Sequence, residues 1–168
     1  VLCMTYKAFI GIGSNLGSPK ENCEKAIDLL HASQGIKVID RSSLYESEPV
    51  GKIEQNWFVN TVVTINTSLT PDELLNIVLK IETTMGRERD EKWGPRIIDL
   101  DLLAYENNVI NSDTLTIPHP EMTKRRFVLL PLSELAGDYI HPEENKTILD
   151  LLKALPETPQ VNKIHPTL

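Results

Sequence analysis

The chain has 168 residues, with 17 Lys+Arg against 24 Asp+Glu and a formal net charge of −7. At 40% hydrophobic and 24% charged residues it reads as one folded domain over residues 1–168, able to bury a core without a disulfide or metal staple. The acid excess, with pI ≈ 5.1, excludes a general nucleic-acid binder, and no apolar run approaches the roughly 20 residues of a membrane span.

No signal-peptide pattern opens the chain, and Cys3 and Cys23 have neither metal nor redox spacing. A cytoplasmic protein is expected, with Met4 as its start and Val1–Cys3 a remnant ahead of it. Lys7–Gly13 alternates loosely and reads as a first strand. Ser18-Pro19-Lys20-Glu21 has helix-start chemistry, with Ser18 as cap and Glu21 completing a capping box. Cys23, Ala26, Ile27 and Leu30 share one face of that helix, and Gly35 closes it. Ile36–Ser47 reads as a second strand, Glu48–Asn56 as a loop and Trp57–Thr67 as a third strand. Thr70-Pro71-Asp72-Glu73 repeats the capping pattern, Leu74, Ile77, Val78, Ile81 and Met85 form an apolar stripe, and Gly86 ends the helix. Arg87–Arg96 is a charged loop and Ile97–Tyr105 a fourth strand. A helical turn over Pro131–Ala136 and a last helix over Ile148–Leu155 follow. The order β-α-β-β-α-β with C-terminal additions is the α+β, ferredoxin-like pattern, with a mainly antiparallel sheet.

The charges are sorted. Residues 87–96 and 124–126 hold Arg87, Arg89, Lys92, Arg96, Lys124, Arg125 and Arg126, seven of the 17 basic residues. From charge alone, solvated loops and a phosphate clamp built on planar guanidinium forks stand equal. The next strand favours the clamp. Asp99 and Asp101 share a face with Leu103, against Ile98, Leu100, Leu102 and Ala104 on the other. Two carboxylates two residues apart, with backbones ~7 Å from each other, repel unless a cation lies between them. Mg²⁺ fits, because it takes one or two carboxylates and leaves its other positions to water and phosphate oxygens. On the third strand Phe58 and Asn60 share a face, an aromatic plane beside an amide that both donates and accepts, which suits a flat heteroaromatic ligand.

Two nucleotide motifs are absent. Gly11-Ile12-Gly13-Ser14-Asn15-Leu16-Gly17 follows a strand, but the dinucleotide fingerprint needs Gly where Leu16 stands. The only Gly-Lys pair, Gly51-Lys52, is followed by Ile53 and lacks the upstream glycine of a P-loop. His119, between Pro118 and Pro120, stands beside the second basic cluster.

Arg87-x-Arg89 followed by Lys92-Trp93-Gly94-Pro95-Arg96-Ile97-Ile98-Asp99-Leu100-Asp101 resembles the signature of the 6-hydroxymethyl-7,8-dihydropterin pyrophosphokinases of folate biosynthesis. Leu115-Thr116-Ile117-Pro118-His119-Pro120 with Arg125 and Phe127 is similar to their second motif. Gly11–Gly17 resembles their first strand and turn, and Gln55–Asn60 their pterin-side strand. The resemblance runs from about Lys7 to about Leu135.

It implies transfer of pyrophosphate from ATP, the co-substrate, to the hydroxymethyl oxygen of the dihydropterin, with release of AMP. It implies that Asp99 and Asp101 hold two Mg²⁺ ions, and that Phe58 and Phe127 sandwich the pterin while Asn60 bonds its edge. Ser47 and Val50 would meet the pterin through their backbones. Arg87 and Arg96 would bind and stabilise the transferring phosphates, with Arg89, Trp93 and Arg125 in or near a mobile catalytic loop and Asp101 among the catalytic groups. Thr116 and His119 would contact ATP phosphate or ribose, and Leu102 would line the adenine pocket. Pro120 and Thr114 depart from members with an aromatic hydroxyl and an arginine at those places, and Glu48 from members with proline. A monomer or weak homo-oligomer is expected, without nucleic-acid or membrane partners. The rival readings are a family member that binds ATP without turnover, a non-catalytic ferredoxin-like module that binds RNA, and a dinucleotide-dependent oxidoreductase. Few aromatics and net negative charge disfavour the second, and Leu16 the third.

Overall fold

The computed structural model describes residues 4–51, 54–87 and 94–166. Strand β1 (Tyr6–Ser14) leads to α1 (Pro19–Ala32), then β2 (Ile36–Arg41), β3 (Tyr45–Ser47), β4 (Phe58–Thr67), α2 (Pro71–Thr84) and β5 (Asp99–Tyr105). A small hairpin of β6 (Ile110–Asn111) and β7 (Thr116–Ile117) follows, then a 3₁₀ turn at Met122–Lys124, α3 (Arg126–Ala136), α4 (Ile148–Lys153) and β8 (Val161–Lys163).

The main sheet runs β5-β1-β4, with β2 and β3 paired in tandem along the far edge of β4 and β8 added outside β3. Every one of these pairings is antiparallel. This is the order expected of the α+β ferredoxin-like pattern. The expected second strand, Ile36–Ser47, is two strands. Ser42 breaks it, because its hydroxyl accepts the Val62 N–H at 2.9 Å and so takes the place of a strand carbonyl.

Period-2 alternation gives the sheet two buried faces. Ala8, Ile10, Val63, Ile65, Leu100 and Leu102 pack on one face against Cys23, Ala26, Ile27 and Leu30 of α1 and Leu74, Val78 and Ile81 of α2. Phe9, Val62, Leu103 and Ala104 pack on the other against Val128, Leu129 and Leu132 of α3 and Ile148 and Leu151 of α4. Ala104 was expected on the opposite face from Leu103. A bulge corrects this: Phe9 pairs with Ala104 and Ile10 with Leu102, so Leu103 is the extra residue and both side chains reach the second core.

The helix ends show which local signals prevail. Thr70 caps α2, accepting the Glu73 N–H at 3.2 Å, and Gly86 takes the left-handed conformation past its end (φ 87°). Ser18 makes no side-chain cap bond, so the expected capping box at α1 does not form; instead Asn22 N–H bonds Ser18 O at 2.9 Å. Helix α3 starts at Arg126, a turn before the expected Pro131, because burial of Val128 and Leu129 outweighs the bond to Phe127 O that Pro131 cannot make. The last helix ends at Lys153 rather than Leu155.

Candidate active site

Two glycines of β1 make the floor. Gly13 pairs with Asn60 on one side and Asp99 on the other, and Gly11 pairs with Val62 and Asp101. Directly opposed residues share a sheet face about 5 Å apart. One row across the sheet is therefore Asn60–Gly13–Asp99 and the next is Val62–Gly11–Asp101. Glycine leaves these rows open, so the amide and the two carboxylates look into one trough. A Cβ at Gly13 would stand 3.0 Å from Asn60 Oδ1. Phe127 and Val128, from the first turn of α3, supply the facing wall.

The trough is one of two adjoining cavities. The first, about 390 Å³, is lined by Ser47, Val50, Phe58, Asn60 and Phe127, with Arg96, Asp99, Asp101 and Arg125 at its end. Its walls are largely apolar, and its polar groups are few and convergent. Asn60 is 5% exposed and donates to Ser47 Oγ at 2.6 Å, which sets the plane of its amide. The second cavity, about 350 Å³, is lined by Arg87, Leu102, Thr116 and His119 beside Leu75, Leu79, Leu100 and Leu115. Arg96, Asp99, Asp101 and Arg125 line both, so the carboxylates sit on the seam between an apolar slot and a cationic one.

Charges on the seam are interleaved. Arg87 Nη2 lies 3.3 Å from Asp99 Oδ1 and Arg96 Nη1 lies 3.2 Å from Asp99 Oδ2. Arg125 Nη1 and His119 Nε2 each lie 3.9 Å from Asp101, and the Arg125 guanidinium is 5.7 Å from the Phe127 ring centroid. Burial, and then the neighbouring Asp99 carboxylate, push the Asp101 pKa up to about 7. Burial and Arg125 lower that of His119, and its Nδ1 accepts the Glu121 N–H at 3.2 Å, which leaves the hydrogen of the neutral ring on Nε2.

The fold thus brings together Ser47, Val50, Phe58, Asn60 and Phe127 on one side and Arg87, Leu102, Thr116 and His119 on the other, around Arg96, Asp99, Asp101 and Arg125. Arg89 and Trp93, with Lys92, lie outside the described residues. Of the second basic cluster only Arg125 enters; Lys124 and Arg126 line neither cavity.

Sequence reasoning missed the structural use of Gly11 and Gly13, and it missed Glu82. This glutamate is 2% exposed, pairs with Arg87 and accepts the Leu100 N–H at 3.0 Å. Burial pushes its pKa up to about 7, against the pull of Leu100 and Arg87. Its signal was available: position 82 falls on the apolar stripe of α2, four residues after Val78.

Residues 9–137 match the model of the 7,8-dihydro-6-hydroxymethylpterin-pyrophosphokinase (HPPK) family. The chain is 43% identical over 134 residues to the 2-amino-4-hydroxy-6-hydroxymethyldihydropteridine pyrophosphokinase of Methylorubrum extorquens, covering 80% of this chain and 85% of that one. It is 44% identical over 148 residues to the Synechocystis sp. protein of the same name, covering 88% and 75%. It is 42% identical over 149 residues to the folic acid synthesis protein fol1 of Schizosaccharomyces pombe, covering 89% of this chain but 20% of that longer one. In fold it is similar to the Plasmodium falciparum HPPK-DHPS crystallised with pteroate, with TM-score 0.72 and 18% identity over 89% of this chain and 42% of that one. The chain belongs to the 7,8-dihydro-6-hydroxymethylpterin-pyrophosphokinase family.

Proposed function

We infer that this chain transfers pyrophosphate from ATP to the hydroxymethyl group of 6-hydroxymethyl-7,8-dihydropterin and releases AMP, in folate biosynthesis. Family membership carries the reaction. The observation that carries the site is that Arg96, Asp99, Asp101 and Arg125 line both cavities. A nucleophile seated in one cavity and a polyphosphate seated in the other meet at those four side chains.

In this reading the pterin lies in the first cavity between Phe58 and Phe127, with its edge on Asn60 and the backbone of Ser47 and Val50 beside it. ATP lies in the second, its base toward Leu102 and its phosphates and ribose within reach of Thr116, His119, Arg87, Arg96 and Arg125. The buried Arg87 Nε has no hydrogen-bond partner among the described residues, which suits a phosphate oxygen. Arg89 and Trp93, outside the described residues, keep the catalytic roles that the family resemblance implies.

Magnesium fits the donor set. Asp99 and Asp101 are hard oxygen donors; burial first and the neighbouring Asp99 charge second raise the Asp101 pKa, and a divalent cation relieves the repulsion between them. Among the described residues no group of three or more His, Cys, Asp or Glu is assembled, as suits an ion that keeps positions for water and phosphate rather than a closed site. Asp99 and Asp101 would hold two Mg²⁺, which when bound neutralise phosphate charge and align the reacting groups.

The protein's own part is positioning and charge. The sandwich and Asn60 point the hydroxymethyl oxygen along the trough toward the seam. Arg87 and Arg96 stabilise the charge that moves onto the bridging oxygen as the bond to AMP breaks. We also assign the chain one working domain, as a monomer or weak homo-oligomer in the cytoplasm without nucleic-acid partners. No helix among the described residues is long and apolar enough to cross a membrane.

The test is one assay with ATP, Mg²⁺ and 6-hydroxymethyl-7,8-dihydropterin, reading AMP. Mg-dependent AMP formation that is lost in Asp99→Ala and in Asp101→Ala, with folding retained, is expected. ATP binding without AMP marks a member that has lost turnover, and near-normal turnover in either variant removes the metal assignment.

A further inference from the structure

Immediately after β1 stands a buried amide that touches neither cavity. Asn15 is 1% exposed. Its Oδ1 accepts the backbone N–H of Arg96 at 2.7 Å, and its own backbone N–H donates to Arg96 O at 2.9 Å. Its Nδ2 donates both hydrogens across the fold, to Gln55 Oε1 and to Asn56 O, each at 2.9 Å. All the hydrogen-bonding capacity of the side-chain amide, apart from one carbonyl lone pair, is spent on two segments. One segment leads into Phe58 and Asn60, and the other carries Arg96 and leads into Asp99.

These segments are loops, far apart in sequence, and each ends on a wall of the site. Asn22 Nδ2 reinforces only one side, donating to Leu16 O at 2.8 Å and to Ile97 O at 3.3 Å. A side chain that holds Arg96 with its oxygen and the pterin wall with its nitrogen fixes the distance between the group that stabilises the leaving phosphate and the group that aims the nucleophile.

We propose that Asn15 is a positioning residue for pyrophosphate transfer, registering the Arg96 backbone against the pterin wall through opposite ends of one buried amide. The proposal rests on the site assignment above. Its two arms are separable by substitution. Asn15→Ala removes both. Asn15→Asp keeps an acceptor for Arg96 N–H but loses the two donors to Gln55 and Asn56.

The experiment is steady-state AMP formation by the full chain, with pterin KM, ATP KM and kcat determined separately and melting temperature recorded. Displacing a reacting group by an ångström through a distant substitution costs about 100-fold. Asn15→Ala is therefore expected to lose about 100-fold in kcat. Asn15→Asp is expected to raise pterin KM roughly tenfold, the loss of one to two hydrogen bonds, while ATP KM stays near wild type. If both variants melt lower but keep wild-type kcat and both KM values, Asn15 is only structural and the proposal is overturned. If the Asn15 variants do not fold, Gln55→Ala and Gln55→Glu decide it. The glutamate keeps an acceptor for Asn15 Nδ2 and is expected to hold pterin KM within a few-fold of wild type, while the alanine raises it; equal pterin KM in the two overturns the pterin arm. A wild-type chain that forms no AMP defeats the functional reading itself, whereas an active wild type with unaffected variants defeats this proposal alone.

Discussion

Both oxygens of Asp99 are held by arginines, Oδ2 by Arg96 at 3.2 Å and Oδ1 by Arg87 at 3.3 Å. The cations assigned to phosphate and the carboxylate assigned to metal therefore neutralise one another without ligand. In the proposed reading, ATP with Mg²⁺ would exchange these partners, phosphate taking the place of carboxylate on each arginine while Asp99 is freed to hold metal.

Arg96→Ala tests the catalytic side of that exchange. Arg96 faces the seam rather than the pterin stack, so the variant is expected to lower kcat by about 100-fold, typical for loss of one transition-state charge partner. Pterin Kd, read by titration of the variant, should change by far less. A large loss of pterin affinity with unchanged kcat would contradict the role.

Gly13→Ala tests the floor of the trough. The new Cβ would stand 3.0 Å from Asn60 Oδ1 and would push the amide off the bond it donates to Ser47 Oγ. Gly13 is not in the left-handed region, so alanine meets a close approach rather than a backbone barrier. Pterin KM should rise roughly tenfold, about 1.4 kcal/mol, with little change in melting temperature or ATP KM.

Glu82→Ala tests the buried support of Arg87. It would leave the Leu100 N–H without its acceptor and the Arg87 guanidinium with Asp99 as its one remaining carboxylate among the described residues. A loss of about 3 kcal/mol in urea unfolding is expected, together with weaker ATP binding as Arg87 loses its anchor. Glu82→Gln, which keeps an acceptor for Leu100 N–H, should lose less.

The pH dependence of stability has a defined sign at His141. The ring is 4% exposed, and its Nδ1 accepts the N–H groups of Glu143 at 3.2 Å and Glu144 at 3.1 Å. Burial lowers its pKa, while the two glutamates pull the other way. The unfolded chain therefore binds the proton first as pH falls through about 6.5, and stability present above that value is lost toward the folded pKa. Asp101 and Glu82, raised to about 7, shift stability the opposite way over the same range, so the His141 contribution is read as the difference between wild type and His141→Asn in urea unfolding at pH 8 and pH 5. His141→Asn should be less stable at pH 8 but lose less between the two pH values; an unchanged slope would remove the assignment.

The elements and the chemistry were legible in the sequence because both are local. Apolar period and a threonine cap marked α2, alternation marked the strands, and the spacing of Asp99, Asp101 and Arg96 marked a candidate site for metal and phosphate. Asn60 read as facing a flat ligand, and only packing showed it buried against Ser47. Glu82 hid within an apolar stripe because periodicity reports which face is buried, not what a buried charge pairs with. Asn15 hid because its partners lie some 40 and 81 residues away. Cross-strand register is set by pairing along whole strands and cannot be read from any one segment. Residue type and local spacing were enough to name candidates for pterin, phosphate and metal. Tertiary structure alone decided that Gly13 stands between Asn60 and Asp99, with no side chain to separate them, and so made two sets of residues into one site.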